Sequence, residues 1–253
     1  MDNTTIIILA AGKGTRMNSP IPKVLHEVNG IPMIVKILNT CLSTTPKEIF
    51  IVVGEYKNMI EMVINNNIKY TSNIKYIIQK EQLGTGHAVR MCIPELKIST
   101  SNNVIVLSGD TPLIKSSTLY KISRFRYSGL IIGYTENPFG YGRVIIDDNG
   151  GFIKIVEEKD CNNNEKKICL VNTGVYIFKK GALINNIDKI TNNNNQNEYY
   201  LPDILQLISK HYDIEYYIHN NNKEFLGVNT MEQLKIVENI ENIHKTKNIE
   251  HLI

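Results

Sequence analysis

The densest group of residues able to handle a charged ligand is Leu9-Ala10-Ala11-Gly12-Lys13-Gly14-Thr15-Arg16-Met17, at the end of an apolar run. Small residues and glycines let backbone approach a ligand closely, and successive N–H groups can cradle phosphate oxygens. Lys13 and Arg16 in the loop, then Lys23 in Pro22-Lys23-Val24-Leu25, supply enough positive charge to balance a triphosphate, Arg16 with planar, directional donors. No Gly-Lys-Ser/Thr closes the loop, so it is not a Walker A segment. Met17 stands where a dinucleotide fingerprint needs its third glycine. An ordinary tight turn with solvated charges accounts for the same residues.

Two further groups carry polar chemistry. Gln79-Lys80-Glu81-Gln82-Leu83-Gly84-Thr85-Gly86-His87-Ala88 has glycines that free the backbone, a candidate helix cap in Thr85, and a Gln whose planar acceptor and donors suit a nucleobase edge. A capped helix start is the competing reading. Ser108-Gly109-Asp110 ends another apolar run. An acid at the carboxyl end of a parallel strand stands where open α/β sheets bind ligands, and Asp110 suits Mg²⁺, which takes hard oxygens. A turn-forming or helix-capping Asp is the alternative.

These residues need a scaffold. The runs 5–10, 48–53, 74–79, 103–108 and 130–135 read as strands, several of them apolar without alternation, as for strands covered on both faces. Helical stretches at 31–44, 56–65, 85–94 and 116–126 lie between them. That rhythm predicts an α/β fold with a mainly parallel central sheet and helices on both faces. Beyond 135 the pattern predicts a hairpin turning at Asp148-Asn149-Gly150-Gly151, a strand at 168–178, a helix at 201–210, strands near 213–218 and 225–228, and a final helix from about 230.

A length of 253 residues fits one large domain, or one domain with a small appendage. A net charge of +3 is too small to mark a nucleic-acid binder, and no run approaches a membrane span of roughly 20 apolar residues. The N-terminus lacks the form of a signal peptide. Cys41, Cys92, Cys161 and Cys169 form no CxxC pair, so reduced thiols and a cytoplasmic location are expected. Ile and Asn together exceed a quarter of the chain, with Asn clustered at 65–67, 162–164, 192–195 and 220–222, as expected of loops.

LAAGKGTRM followed by PKVLH resembles the signature of the sugar-phosphate nucleotidyltransferases, in the form found in those that act on N-acetylglucosamine 1-phosphate. QxEQLGTGHA, the Gly109-Asp110-Thr111-Pro112-Leu113 segment, Gly140-Tyr141-Gly142-Arg143, Ile155-Val156-Glu157-Glu158-Lys159-Asp160, Val171-Asn172-Thr173-Gly174, Asn197-Glu198-Tyr199-Tyr200-Leu201-Pro202-Asp203 and Gly227-Val228-Asn229 extend the likeness in the family's order. The resemblance implies a Rossmann-like α/β/α nucleotide-diphospho-sugar transferase fold over 1–229. It implies that Leu9, Ala10, Ala11, Gly12, Gly14, Thr15, Gln79, Gly84, Thr85 and Gly109 hold the nucleotide, with Gln79 and Gly84-Thr85 reading the base. Arg16 and Lys23 would neutralise phosphate charge, and Asp110 with Asn229 would ligate Mg²⁺. Gly142, Glu157, Asn172 and Tyr200 would hold the sugar. The implied reaction joins UTP and N-acetylglucosamine 1-phosphate into UDP-N-acetylglucosamine and pyrophosphate. His87 is expected to be structural, since this chemistry needs no general base.

Two positions depart from the family pattern: Ser108, where relatives can carry Tyr, and Pro202, where Thr is common. Another sugar 1-phosphate or nucleotide, or a catalytically silent nucleotide-sensing module, are the alternative readings. A dehydrogenase domain fits less well because of Met17. Bacterial relatives continue into a hexapeptide-repeat β-helix that acetylates and trimerises. No such repeat occurs here, so a monofunctional enzyme is expected, monomeric or a small homo-oligomer. The segment 230–253 has apolar residues at 231, 234, 237, 240 and 243, an amphipathic helix that either packs on its own domain or self-associates.

Overall fold

The computed structural model describes the backbone of residues 1–250 and the side-chain surroundings of 1–243. Seven strands form the main sheet: β1 (Thr4–Leu9), β4 (Glu48–Val53), β5 (Ile74–Ile78), β6 (Asn103–Ser108), β7 (Gly129–Tyr134), β10 (Leu170–Lys179) and β11 (Glu215–His219). Their order is β11-β7-β10-β6-β1-β4-β5. All pair in parallel except β10, which runs antiparallel to both neighbours. The hairpin β8 (Arg143–Ile146) and β9 (Phe152–Val156) joins through Val171 of β10, while β2 (Glu27–Val28) and β3 (Ile31–Pro32) form a separate small hairpin.

The unbroken apolar runs have the expected cause. On β1, Ile6 and Ile8 enter one core and Ile7 the other; on β4, Ile49, Ile51 and Val53 alternate with Phe50 and Val52 in the same way. Helices α1 (Met33–Leu42), α2 (Lys57–Asn67) and α5 (Ser116–Ser123) seal the first face through Leu38, Ile64 and Leu119. Helices α3 (Thr85–Arg90), α4 (Ile93–Ile98), α6 (Lys180–Asn186) and α7 (Asp203–Ser209) seal the second through Val89, Leu96, Leu183 and Leu205.

The final helix α8 (Met231–Glu250) is docked on this body. Leu234 and Val237 are buried with Met17, Val28, Met33 and Val228, and Lys36 of α1 pairs with Glu241 at 2.5 Å. Ile236 and Ile243 are exposed. Residues 251–253 of the expected terminal segment lie outside the described residues.

The structure corrects the sequence expectations at three places. No strand forms at 225–228: a short 3₁₀ turn, Asn222–Phe225, precedes extended backbone that pairs with the loop after β6 instead of joining the sheet. The stretch 85–94 is not one helix but the whole of α3 and the start of α4, broken at Met91-Cys92, with Pro94 fitting the first turn of the second. Thr85 is not the cap of α3. Gly84 holds that position, and the Thr85 hydroxyl accepts from the Leu201 N–H at 3.1 Å.

Candidate active site

β1 lies between β4 and β6, so the chain leaves it toward one edge and returns on its other side. The loops after β1 and β6 diverge at this switch point and open a crevice at the carboxyl ends of the strands. A cleft of about 400 Å³ lies there. Leu9, Ala10, Ala11, Gly12 and Lys23 form one wall, Gln79, Gly84 and Thr85 a second, and Asp110, Glu157 and Asn172 face them. Residues far apart in the sequence thus border one cavity.

The charged centre is built by long-range contacts. The Gly109 N–H donates to the Leu9 carbonyl at 2.8 Å, which ties the two loops together. The Val228 N–H donates to the Asp110 carbonyl at 2.9 Å and brings Asn229 beside the carboxylate. The Lys23 ammonium pairs with Asp110 Oδ2 and donates to Asn229 Oδ1 at 2.9 Å. Arg16, exposed at the rim, donates to the same Oδ1 at 3.0 Å. A Cβ on Gly14 would lie 2.5 Å from that of Lys23, so the loop can close over this lysine only because the residue is glycine. Thr15 is exposed beside it. Ser108 donates to Asp110 Oδ1 at 2.6 Å, so the residue that departs from the family pattern orients the carboxylate.

Asp110 and Asn229 fit a magnesium ion. Their two side-chain oxygens already converge on one cation, the Lys23 ammonium. No group of three or more His, Cys, Asp or Glu able to hold a metal occurs among the described residues. One carboxylate, one amide oxygen and substrate phosphates make the donor set that Mg²⁺ commonly takes.

At the other end, β10 presents Asn172, Gly174 and Tyr176, at the period of two that puts alternate residues on one face. Asn172 Oδ1 accepts from the Tyr176 hydroxyl at 2.8 Å and the Gly174 N–H at 3.1 Å, which turns its Nδ2 toward Glu157 Oε1, 3.5 Å away. The Asn172 N–H donates to the Gly142 carbonyl at 2.8 Å. Burial pushes the Glu157 carboxyl up to about 7, with Asp203, Asp160 and Glu198 adding to the rise and Asn172 opposing it. Burial, then Asp160, pushes Asp203 up to about 6.

Gly14, Thr15, Arg16, Gly109, Gly142 and Asn229 adjoin the cleft through these contacts without lining it. Tyr200 does not line it either. Its hydroxyl donates to Asp160 Oδ2 at 3.1 Å and accepts from Gln196 at 2.8 Å. Sequence reading passed over Gln82, Tyr176 and Glu198, which do line it. Gln82 and Glu198 sit inside recognised motifs, and Tyr176 was discoverable only from the alternation along β10. Arg143, almost fully buried, pairs with Glu158 at 2.7 Å, and Glu158 also accepts from the Gly140 N–H at 3.1 Å. The conspicuous Arg of the glycine segment therefore locks that segment to the chain after β9.

A switch-point crevice, a glycine loop with cations and an acid–amide pair beside them define a phosphate-handling α/β protein. The chain belongs to the nucleotidyl transferase family, whose model, described as Nucleotidyl transferase, matches residues 5–234. It is 40% identical, over 93% of its length and 95% of the relative's, to a protein of Acanthamoeba polyphaga mimivirus named probable UDP-N-acetylglucosamine pyrophosphorylase. It is 41% identical to the bifunctional protein GlmU of Clostridium novyi (strain NT), with 92% of this chain and 51% of that protein covered. The chain thus spans about half the length of that bacterial relative. Among solved structures, one of UDP-glucose pyrophosphorylase with UDP-glucose has the same fold, with a TM-score of 0.75, 20% identity, and 95% and 99% of the two chains covered. Among the described residues no helix is long and apolar enough to cross a membrane.

Proposed function

We propose that this protein transfers a uridylyl group from UTP to N-acetylglucosamine 1-phosphate, releasing pyrophosphate and UDP-N-acetylglucosamine, with Mg²⁺ bound and in the cytoplasm. The observation that carries this is one cleft with three kinds of border: Lys23 and Asp110, with Asn229 and Arg16 bonded beside them, the Gln79 and Gly84 rim, and the Glu157–Asn172 end. The names of the viral and clostridial relatives support the choice of sugar and base.

A phosphate oxygen of the sugar phosphate attacks the α-phosphorus of UTP. The bond from that phosphorus to the oxygen bridging the β-phosphorus breaks, and pyrophosphate leaves with the electron pair. The nucleophile is already an anion, so no side chain has to remove a proton; the protein's task is positioning and charge neutralisation. Arg16 and Lys23 balance charge on the triphosphate and the reacting phosphates. Asp110 and Asn229 would hold Mg²⁺, which when bound neutralises phosphate charge. Glu157 offers acceptors and Asn172 a donor to the sugar hydroxyls and amide, while the backbone at Gly142 holds Asn172 in place.

Pyrophosphate release measured with UTP, N-acetylglucosamine 1-phosphate and Mg²⁺ is expected to be magnesium-dependent and strongest for this pair. No release from any nucleotide and sugar phosphate would overturn the proposal. A second reading, turnover of another hexose 1-phosphate, has one observation in its favour: Pro202, with neither hydroxyl nor N–H, lines the cleft where relatives commonly have Thr. Galactosamine and glucose analogues in the same assay decide between the two.

A further inference from the structure

The Gln79 side chain has a single defined orientation. It is almost fully buried and lines the cleft. Its Nε2 lies 3.2 Å from the Gly84 carbonyl oxygen, an atom that can only accept, so the group there is the amide NH₂. The same nitrogen lies 3.0 Å from His87 Nδ1. One amide hydrogen goes to the carbonyl and the other to Nδ1, which must therefore offer a lone pair; the imidazole proton is then on Nε2. Both amide hydrogens are spent on the protein. The Gln79 Oε1 has no partner among the described residues and is not one of their buried orphan atoms. What Gln79 presents to a ligand is a pure acceptor.

We infer that His87 is a positioning residue that sets base selectivity, by holding the Gln79 amide so that its oxygen faces the nucleobase. The inference rests on the proposed reading of this rim as the site of a pyrimidine base. An amide oxygen accepts from the imide N–H at position 3 of uracil and repels the lone pair at the same position of cytosine. Turning the amide over would set its oxygen against the Gly84 carbonyl, and against His87 Nδ1 unless the imidazole proton moved from Nε2 to Nδ1. It would also offer an NH₂ that suits cytosine. His87 supplies one of the two barriers to that reversal. Tyr199, whose ring centroid lies 6.4 Å from that of His87 and whose backbone is bonded to Leu83 and Gly86, holds the surrounding loop.

The test compares kcat/KM for UTP and CTP, with one sugar phosphate, in wild type, His87→Leu and His87→Asn. The wild type is expected to favour UTP. In His87→Leu the UTP-to-CTP ratio falls about five- to tenfold, the worth of one hydrogen bond, through KM for UTP and with kcat held. His87→Asn places an acceptor oxygen as many bonds from Cα as Nδ1, so the ratio returns toward wild type. A purely structural His87 would not produce this split between two side chains of equal branching. A wild-type ratio in His87→Leu, or His87→Asn impaired as badly as His87→Leu, overturns the inference. If melting shows that His87→Leu does not fold, His87→Ala is read in its place by the same criteria. Absence of UTP turnover in wild type overturns the pyrimidine reading itself, and is distinguished because it appears before any substitution.

Discussion

The Lys23 ammonium stands between a carboxylate and an amide oxygen, and the Arg16 guanidinium reaches the same amide. Removing a charge stabiliser from such a centre typically costs about 10²–10³ in rate. Arg16→Ala and Asp110→Ala are each expected to lose that much kcat while melting within a few degrees of wild type; near-normal rates in both would remove these residues from the chemistry. Glu157 carries a pH prediction. Its carboxyl ionises at about 7 in the folded protein against 4.5 as an ordinary glutamate, so the folded state keeps the proton that the unfolded chain has lost. Stability is therefore lost as pH rises from 4.5 through 7, the opposite of a salt-bridged carboxylate. Glu157→Gln is expected to melt higher than wild type at pH 8 and close to it at pH 5. An offset equal at both values would show that burial does not act on this carboxyl.

At the level of elements, the Gln79–Gly84 rim depends on a backbone seam between two distant segments. The Tyr199 N–H donates to the Leu83 carbonyl at 2.8 Å and the Gly86 N–H to the Tyr199 carbonyl at 2.7 Å. Gly84 between them has φ 104°, and a Cβ there would lie 2.6 Å from the Tyr199 oxygen. Gly84→Ala is expected to weaken UTP binding at least tenfold in calorimetry and to lower the melting temperature; unchanged affinity would separate the seam from the nucleotide site. The docked helix makes a different prediction. Leu234 is buried in the small cluster that includes Met17, at the end of the glycine loop, and Val228, next to Asn229. Leu234→Ala should cost about 2–4 kcal/mol, a drop of several degrees, whereas exposed Ile236→Ala should stay within about 0.5 kcal/mol. Equal melting of the two variants would mean that α8 adds nothing to the fold.

Across the whole molecule, the cleft joins segments from both halves of the sheet, so a ligand that fills it binds the folded chain and not the unfolded one. UTP with Mg²⁺ at a hundred times its Kd is expected to add about 2.7 kcal/mol of stability, visible as a rise of several degrees in a thermal shift that chelator reduces. No shift would argue against nucleotide occupancy of the cleft. The scaffold was largely legible because its signals are local. Two faces covered by helices require unbroken Ile and Val runs, and TIIILA and EIFIVV show this directly. The site was less so. Gln82 and Glu198 were hidden among motif neighbours, Tyr200 carries its hydroxyl to Asp160 rather than into the cleft, and Thr85 serves Leu201 rather than its own helix.

The sequence by itself determined the strands of the parallel sheet, the cationic glycine loop after the first of them, and the acid that ends the strand at 103–108. Hydrophobic period and turn chemistry are written within a few neighbouring residues. Only the tertiary structure decided that β10 runs against its neighbours, that 225–228 pairs with the loop after β6 instead of forming a strand, and that Asn229 meets Asp110 and Lys23. It also decided which way the Gln79 amide points. Each of these depends on groups far apart in the chain, brought together by the order of strands and the packing of both faces, and no local pattern encodes that order.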